Sequence, residues 1–265
     1  MILVIGEALV DLVISPDGAV EAALGGAPDN TARAAGRLGA DVKFVGGLSD
    51  DRFGQLLRQR LVDDGVDTQF AVAPSEPTTL AAAAIDDTGA ADYRFYFHAT
   101  SAPLVGSGDA ERAVGVDGAG AIVVTGGLAL VLEPRARSAV DALARLAEDT
   151  LLVVDVNCRA AVIPEREAYV RRVGAVAARA DVVKVSDEDL DYLTPGLDTA
   201  DAAQRLLEKG PRAVVVTAGA AHTTVVTADD TTVVDVPPLA GEVVDTIGAG
   251  DTFGAGMLAW WNAVG

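Results

Sequence analysis

Short runs of β-branched and other apolar residues alternate along this chain with longer stretches whose apolar residues recur at helical spacing. The strand candidates are residues 2–5, 42–45, 122–125, 151–154, 182–185 and 214–217. The helix candidates are residues 29–38, 52–62, 134–147, 165–178, 188–193 and 198–208. Continuous apolar strands between amphipathic helices are typical of a parallel sheet covered on both faces. We therefore predict a doubly wound α/β fold, in which ligands bind beyond the carboxyl ends of the strands.

A second group of strand candidates has no helices between its members. These segments are residues 9–14, 69–73, 79–85 and 93–97. The alanine-rich segment 79–85 has helical propensity, but Pro77 before it and the turn-forming sequence 86–89 after it favour a hairpin arm. We expect a small antiparallel sheet beside the main one, of the kind that closes over an active site as a lid. An edge extension of the main sheet is the alternative.

Acidic residues outnumber basic ones, 39 against 20, which gives a formal net charge of −19. This charge repels nucleic acids and anionic membrane surfaces, so we expect neither as a partner. It also repels ATP, so any nucleotide site must be locally positive. The single cysteine, Cys158, excludes an intramolecular disulfide, and the two histidines suggest no zinc site. Because the sequence shows neither a signal peptide nor an apolar run of bilayer length, we predict a cytoplasmic protein.

A glycine-rich turn, Gly248-Ala249-Gly250-Asp251, opens the last predicted helix of the 265-residue chain. The start of a helix directs backbone N–H groups and the positive end of its dipole at an anion, for which phosphate is the usual occupant. Asp251 would repel that phosphate unless it takes part in the chemistry, by accepting a proton from a hydroxyl that attacks a phosphoryl group. The alternative is a plain loop and helix cap. The sequence contains no Walker Gly-Lys-Ser/Thr tripeptide.

A second glycine pair precedes the first predicted helix. Gly25 and Gly26 permit the close approach of a ligand, and Asn30 lies at the start of the helix. The Asn30 side chain is either an ordinary helix cap or, together with Asp11, part of a polyol site, since carboxylate and amide groups pair with sugar hydroxyls. The residues alone leave both interpretations open.

Three segments resemble the PfkB (ribokinase-like) carbohydrate kinases, in the right order along the chain. They are Gly-Gly-Ala-Pro-Asp-Asn at 25–30, Gly-Leu-Ser-Asp-Asp-Arg-Phe-Gly at 47–54 and Asp-Thr-Ile-Gly-Ala-Gly-Asp at 245–251. The resemblance runs from Met1 to Gly265. It implies a Rossmann-like sheet with a β lid and transfer of the γ-phosphate of ATP to a sugar or nucleoside hydroxyl. It also implies Mg²⁺ and, in many members, a monovalent cation such as K⁺.

The resemblance also implies roles for the matching residues. Asp251 corresponds to the general base on the acceptor hydroxyl, and Gly248, Ala249 and Gly250 to the anion hole for the developing phosphoryl charge. The implied substrate-binding residues are Asp11, Gly25, Gly26, Asn30, His98 and Arg159. The implied nucleotide-binding residues are Lys184, Ser186, Thr217, Gly219, Gly248 and Gly250. Asp245 belongs to the region that binds a monovalent cation.

Two motifs depart from the pattern of this family. Its Asn-x-x-Glu motif, which organises Mg²⁺ and phosphates through water, here reads Ser186-x-x-Asp189. We expect Asp189 to serve a hydrated magnesium ion, and a charge at a helix start is the alternative. His222 stands where the family has a second glycine after Gly219. The chain also stops before the C-terminal helices usual in the family, either because these helices are absent or because the gene product is longer than this sequence. The departures and the chain end motivate a second hypothesis, a non-catalytic sugar- or nucleotide-binding protein of the same fold.

The sequence Asp155-x-Asn157-x-Arg159 resembles the fructokinase and 2-keto-3-deoxygluconate kinase branch. Members that handle acidic sugars tend to carry an arginine at the position of His98, so we favour a neutral sugar, fructose first. 2-Keto-3-deoxygluconate, ribose and nucleosides are the alternative substrates. We predict a single kinase domain over residues 1–265, with a lid built from about residues 9–20 and 67–100 that offers a surface for homodimerisation.

Overall fold

The structure is a computed structural model that describes residues 1–86, 91–104, 109, 112–113, 120–133, 135–147, 149–238, 241, 243 and 246–264. The strands are β1 (Ile2–Ile5), β2 (Leu9–Ile14), β3 (Val20–Gly25), β4 (Val42–Val45), β5 (Val66–Asp67), β6 (Leu80–Ile85), β7 (Ala91–Tyr96), β8 (Ile122–Gly126), β9 (Leu151–Asp155), β10 (Val182–Ser186), β11 (Ala213–Ala218), β12 (His222–Thr227) and β13 (Thr231–Asp235). The helices are α1 (Ala27–Arg37), α2 (Arg52–Asp63), α3 (Arg135–Leu143), α4 (Arg166–Ala177), α5 (Asp187–Leu193), α6 (Thr199–Leu207) and α7 (Ala249–Val264).

The main sheet has the strand order β13-β12-β11-β10-β9-β8-β1-β4-β5. Every pair from β11 to β5 is parallel, whereas β12 pairs antiparallel with both of its neighbours, β11 and the edge strand β13. All six strands predicted for this sheet are present, which confirms the doubly wound α/β fold. The carboxyl ends of the parallel strands therefore share one edge, where ligands bind in such sheets.

Side chains of successive strand residues enter cores on opposite faces of the main sheet. From β1, Leu3 and Ile5 belong to the core that includes residues of α4, α5 and α6. Ile2 and Val4 belong to the core that includes residues of α1, α2 and α7. Because both faces are covered, the central strands are nearly continuous apolar runs rather than alternating ones, with Lys184 in β10 as a buried exception.

The second sheet has the order β3-β2-β6-β7 and confirms the small separate sheet. It is mixed rather than wholly antiparallel, because β2 and β6 pair in parallel while β2–β3 and β6–β7 are antiparallel. Residues 80–85 form a strand, as predicted from the flanking Pro77 and turn sequence, although their alanine content favours a helix.

Two details of the second sheet differ from the sequence prediction. The strand predicted at 69–73 is wrong: Val72 makes only an isolated bridge with Gly47 of the main body. β3 was not predicted, because residues 20–23 are exposed and do not alternate in polarity. Its conformation comes from pairing with β2 rather than from its own sequence pattern.

The segment before β6 is fixed to the main body by hydrogen bonds. Asp51, the N-cap of α2, accepts from the backbone N and the Oγ1 of Thr78, both at 2.7 Å. The hydroxyls of Thr79 and Thr100 are 2.7 Å apart. The hydrogen bonds to Asp51 thus hold the chain that leads into the second sheet against the main body. Of the helices that the structure describes, none has the length and apolar character needed to cross a membrane.

Candidate active site

The turn before α7 is closed by a glycine in a left-handed conformation. Gly248 has φ of 74°, and its carbonyl accepts a hydrogen bond from the backbone N of Thr252 at 2.8 Å. A Cβ at Gly248 would lie 3.5 Å from Nδ2 of Asn30 and 3.9 Å from Oδ2 of Asp251. The backbone therefore passes close to both side chains. Ala249 and Gly250 are exposed, so a ligand can reach the start of the helix.

Asp251 lies in the first turn of α7 with only 9% of its surface exposed. Its Oδ2 accepts a hydrogen bond from Nδ2 of Asn30 at 2.9 Å. Burial raises the pKa of Asp251, and the Asn30 hydrogen bond and the charges of Lys184 and Arg159 oppose that rise in part. A carboxylate with a raised pKa is a stronger base than an ordinary aspartate.

Asn30 is not a helix cap. The N-cap of α1 is Gly26, with φ of 111° and no side-chain cap, and Asn30 lies one turn into the helix. Because α1 packs along α7, the Asn30 amide faces Asp251, which is 221 residues away in the chain. A Cβ at Gly26 would lie 2.8 Å from the carbonyl oxygen of Glu7, so a side chain at this position would force the turn apart.

Asp11 on β2 of the second sheet and Asp251 both lie within the electrostatic influence of Arg159, which follows β9. Burial raises the pKa of Asp11, and the positive charge of Arg159 partly opposes it. The same arginine acts on the pKa of Asp251, so its charge reaches both carboxylates. A Cβ at Gly25 would lie 2.9 Å from Oδ2 of Asp11, and the glycine thus leaves room for that carboxylate.

Lys184 forms a buried ion pair with Asp155. Its Nζ lies 2.8 Å from Oδ2 of Asp155, across the neighbouring strands β10 and β9, with the lysine side chain 7% exposed. A Cβ at Gly250 would lie 3.6 Å from this Nζ, and one at Gly254 would lie 3.7 Å from the lysine Cδ. The glycines of α7 thus admit a cation beneath the first turn of the helix. Sequence reasoning did not include Asp155 in the site, although it begins the Asp-x-Asn-x-Arg motif.

Ser186 and Asp189 form a reciprocal capping box at the start of α5. Ser186 Oγ accepts from the backbone N of Asp189 at 3.0 Å, and Asp189 Oδ2 accepts from the backbone N of Ser186 at 3.2 Å. The other oxygen, Oδ1, accepts from the backbone N of Cys158 at 2.8 Å. Asp189 therefore has the alternative role considered for it, as a charged residue that caps the start of a helix. Each oxygen keeps a second lone pair that a metal-bound water can use, so the magnesium role stays a prediction.

The remaining predicted nucleotide residues lie at the same edge of the sheet. Thr217 on β11 pairs in register with Ser186 on β10. Gly219, with φ of 53°, stands in the short turn between β11 and β12, and apart from its own neighbours in the chain no described residue has an atom within 4 Å of the position of its missing Cβ. His222 begins β12, so the tight turn forms without a second glycine.

One predicted residue is not joined to this cluster, and another lies outside the described part of the chain. His98 is exposed just beyond β7, and in the described part of the chain it makes no hydrogen bond or ion pair with the other candidate residues. Asp245, the candidate for a monovalent cation, lies outside the described residues. Within those residues no group of three histidine, cysteine, aspartate or glutamate side chains is placed to hold a metal ion.

Comparisons with known proteins agree over almost the whole chain. Residues 1–264 match the model of the pfkB family of carbohydrate kinases. A fructokinase from Rhizobium leguminosarum bv. trifolii is 35% identical over 264 residues, which is 98% of this chain and 79% of the relative.

Solved structures of kinases share the fold. A fructokinase from Xylella fastidiosa with bound ATP aligns with a TM-score of 0.88 at 31% identity, covering 99% of this chain and 81% of that chain. An aminoimidazole riboside kinase from Salmonella enterica, complexed with aminoimidazole riboside and an ATP analogue, has a TM-score of 0.85 at 27% identity and covers 99% and 84%. A fructokinase from Vibrio cholerae O395 bound to fructose, ADP and calcium has a TM-score of 0.84 at 27% identity and covers 98% and 83%.

Proposed function

Because this chain belongs to the pfkB family of carbohydrate kinases, we propose that it transfers the γ-phosphate of ATP to a hydroxyl of a neutral sugar, with a fructose-like ketohexose as the favoured acceptor. One observation carries the proposal. A buried carboxylate, Asp251, stands in the first turn of a helix whose glycine-rich start is open to solvent, and it is hydrogen-bonded to Asn30. This arrangement places a proton acceptor, Asp251, next to the N-terminus of α7, which is a binding site for an anion such as phosphate.

In this mechanism Asp251 takes the proton of the acceptor hydroxyl as the oxygen attacks the γ-phosphorus, and the bond from that phosphorus to the β,γ-bridging oxygen breaks to release ADP. Asn30 holds the carboxylate in one orientation through its 2.9 Å hydrogen bond. The backbone N–H groups of Gly248 and Gly250 stabilise the charge that develops on the phosphoryl oxygens. The N–H of Ala249 donates to the carbonyl of Thr246 at 3.1 Å, and it would have to leave this acceptor to join them. Lys184, buried beside Gly250, adds a fixed positive charge to this end of the helix. This charge and the positive end of the helix dipole offset part of the negative charge that Asp155 and Asp251 bring to the site, in a chain whose net charge is −19.

The sugar occupies the space between the second sheet and the main body. Asp11, Asn30 and Arg159 supply acceptors and donors for its hydroxyl groups, while Gly25 and Gly26 leave room for it. His98 lies on the lid side of this space. The relative that is 35% identical is a fructokinase, which favours fructose. The Salmonella kinase for aminoimidazole riboside has a similar TM-score, so a nucleoside belongs among the acceptors tested.

ATP requires a divalent ion to offset its phosphate charges, and we propose Mg²⁺. Asp189 would hold this ion through a water molecule, with Ser186, Thr217 and Gly219 along the nucleotide. The carboxylate oxygens of Asp189 suit a hydrated magnesium ion, which prefers oxygen ligands and retains its waters. Asp245 and K⁺ form the second part of this proposal, in which the monovalent cation supports the loop before α7. A cytoplasmic location also belongs to the proposal.

An ADP-release assay with Mg²⁺-ATP and K⁺ tests the function. The panel comprises fructose, ribose, glucose, tagatose, 2-keto-3-deoxygluconate and a nucleoside. We expect fructose to give the highest kcat/KM. Turnover with a different member would replace the substrate and keep the reaction. Sugar binding by calorimetry with no ADP formation for any member would contradict the kinase and support the non-catalytic binding protein.

Sugar binding should close the second sheet as a lid. We expect saturation with fructose to slow amide hydrogen exchange in β2 and β6, because Asp11 on β2 would then hold the sugar. Strand β9 in the main sheet is the internal control, whose exchange should stay unchanged. Equal exchange in β2 with and without sugar would contradict a closing lid.

We also propose that the second sheet forms a homodimer interface. Its exposed apolar and aromatic side chains, Val20, Tyr93 and Tyr96, would then contact a second copy of the chain.

A further inference from the structure

Asp29 is a buried acid whose carboxylate lacks a hydrogen-bonding partner. It is 0% exposed in the first turn of α1, directly before Asn30. Within the described residues neither of its carboxylate oxygens accepts a hydrogen bond. An ionised carboxylate in such surroundings is costly, so this side chain favours its neutral, protonated form. The role described for Asn30 and Asp251 does not account for an acid at this position.

The charged groups around Asp29 come from the elements that pack on α1. They are Arg33 on α1 itself, Arg60 on α2, Asp64 after α2 and Asp251 on α7. Strand β1 carries no charged residue, and on β4 and β5 the charged pair Lys43 and Asp67 lies 3.6 Å apart.

The two arginines have other partners. Nε of Arg33 lies 2.7 Å from Oδ2 of Asp64, and Nη1 of Arg60 donates to the carbonyl of Leu24. Among the described residues, Asp29 therefore lies near two positive charges without forming an ion pair with either. The like charge of Asp251 also acts on it, from the helix that packs along α1.

We propose that Asp29 is a positioning residue for phosphoryl transfer, which in its protonated form keeps Asn30 aligned on Asp251 and on ionisation weakens that alignment. The inference rests on the proposed kinase function for its catalytic consequence. Its structural consequence, a change at the Asn30 amide, can be measured whether or not the chain is a kinase.

The protonation of Asp29, and the effect of its ionisation on Asn30, both follow from elementary electrostatics. Burial raises the pKa of Asp29 to about 7; the charges of Arg60 and Arg33 oppose this rise, and the carboxylates of Asp64 and Asp251 add to it. Above that pH the charged side chain is attracted to Arg60 and repelled by Asp251. Because Asn30 is the next residue on the same helix, a shift of this turn moves the amide relative to Asp251. A second negative charge at this junction also opposes the approach of the γ-phosphoryl group.

The test compares the pH dependence of the wild type with that of Asp29→Asn. The substitution keeps the shape of the neutral acid and cannot ionise. Asp41→Asn is the matched control, since it makes the same change in charge at an exposed position. We expect wild-type and Asp41→Asn kcat/KM to fall about three- to tenfold as the pH rises through 7, and Asp29→Asn to lack this fall.

A second readout follows the Asn30 side-chain amide by NMR in the protein without ligands. In the wild type its resonances should shift with a midpoint near pH 7, and in Asp29→Asn they should not. A wild-type shift with no turnover on any sugar would reject the kinase and keep the positioning role. Turnover with the same pH profile in wild type and Asp29→Asn, or an amide shift that persists in Asp29→Asn, would overturn the inference.

Discussion

Replacing Asp251 with asparagine is expected to lower kcat by about 10²–10⁴-fold, the range typical for the loss of a general base. The substitution keeps the size of the side chain, and the new amide oxygen can still accept the hydrogen bond from Asn30. We therefore expect fructose affinity to change only a few-fold. The loss falls on kcat because the proton acceptor acts only as the hydroxyl attacks.

The pH profile provides a second signature of the base. Because burial raises the pKa of Asp251, kcat/KM of the wild type should rise through that pKa as the carboxylate ionises. Asp251→Asn should show no such acid limb. The control is Asp201→Asn, which replaces an exposed aspartate in the first turn of α6. If Asp251→Asn keeps wild-type kcat, the assignment of the base is wrong.

The second large effect is expected from Lys184→Met, in both stability and activity. Removing one partner of a buried ion pair typically destabilises a protein by about 3–5 kcal/mol, since the other charge remains buried without compensation. Asp155, 18% exposed at its side chain, would be that remaining charge. Its pKa is already raised by burial, an effect that Lys184 partly offsets. Turnover should also collapse, because the cation beside Gly250 would be lost.

A double variant separates these two roles. Asp155→Asn combined with Lys184→Met removes both charges, so we expect much of the free energy of unfolding to recover while activity stays low. Lys43→Met is the matched control for stability. Its ion pair with Asp67 is longer, at 3.6 Å, and more exposed, so its loss should cost less than about 1 kcal/mol. Denaturant unfolding and turnover measure both quantities. Recovery of activity in the double variant would contradict a functional role for Lys184.

The parts of the fold with a strong local signal were predictable. Each buried parallel strand is a short apolar run, and its position follows from its own residues. The glycine turn before Asp251 is equally local, since Gly248 needs its positive φ for the helix to begin one residue later. Strand β3 has no such signal, because its residues 20–23 face solvent and its pairing is determined by β2.

The contacts within the site depend on elements distant in the chain. Whether Asn30 caps a helix or faces a ligand could not be decided without knowing that Gly26 is the cap and that α7 lies alongside α1. The Asp155–Lys184 pair depends on the register of β9 against β10, which neither segment determines alone. Asp29 gives no signal in the sequence, because an acid in the first turn of a helix is ordinary when it is exposed.

The most direct measurement of the central claim is phosphorus NMR of the wild type and Asp251→Asn, each mixed with Mg²⁺-ATP and fructose. The account predicts that the wild type forms a sugar phosphate and ADP in equal amounts, while Asp251→Asn forms almost none although it still binds fructose. Release of inorganic phosphate with no sugar phosphate, or equal rates of sugar phosphate formation by the two proteins, would contradict it.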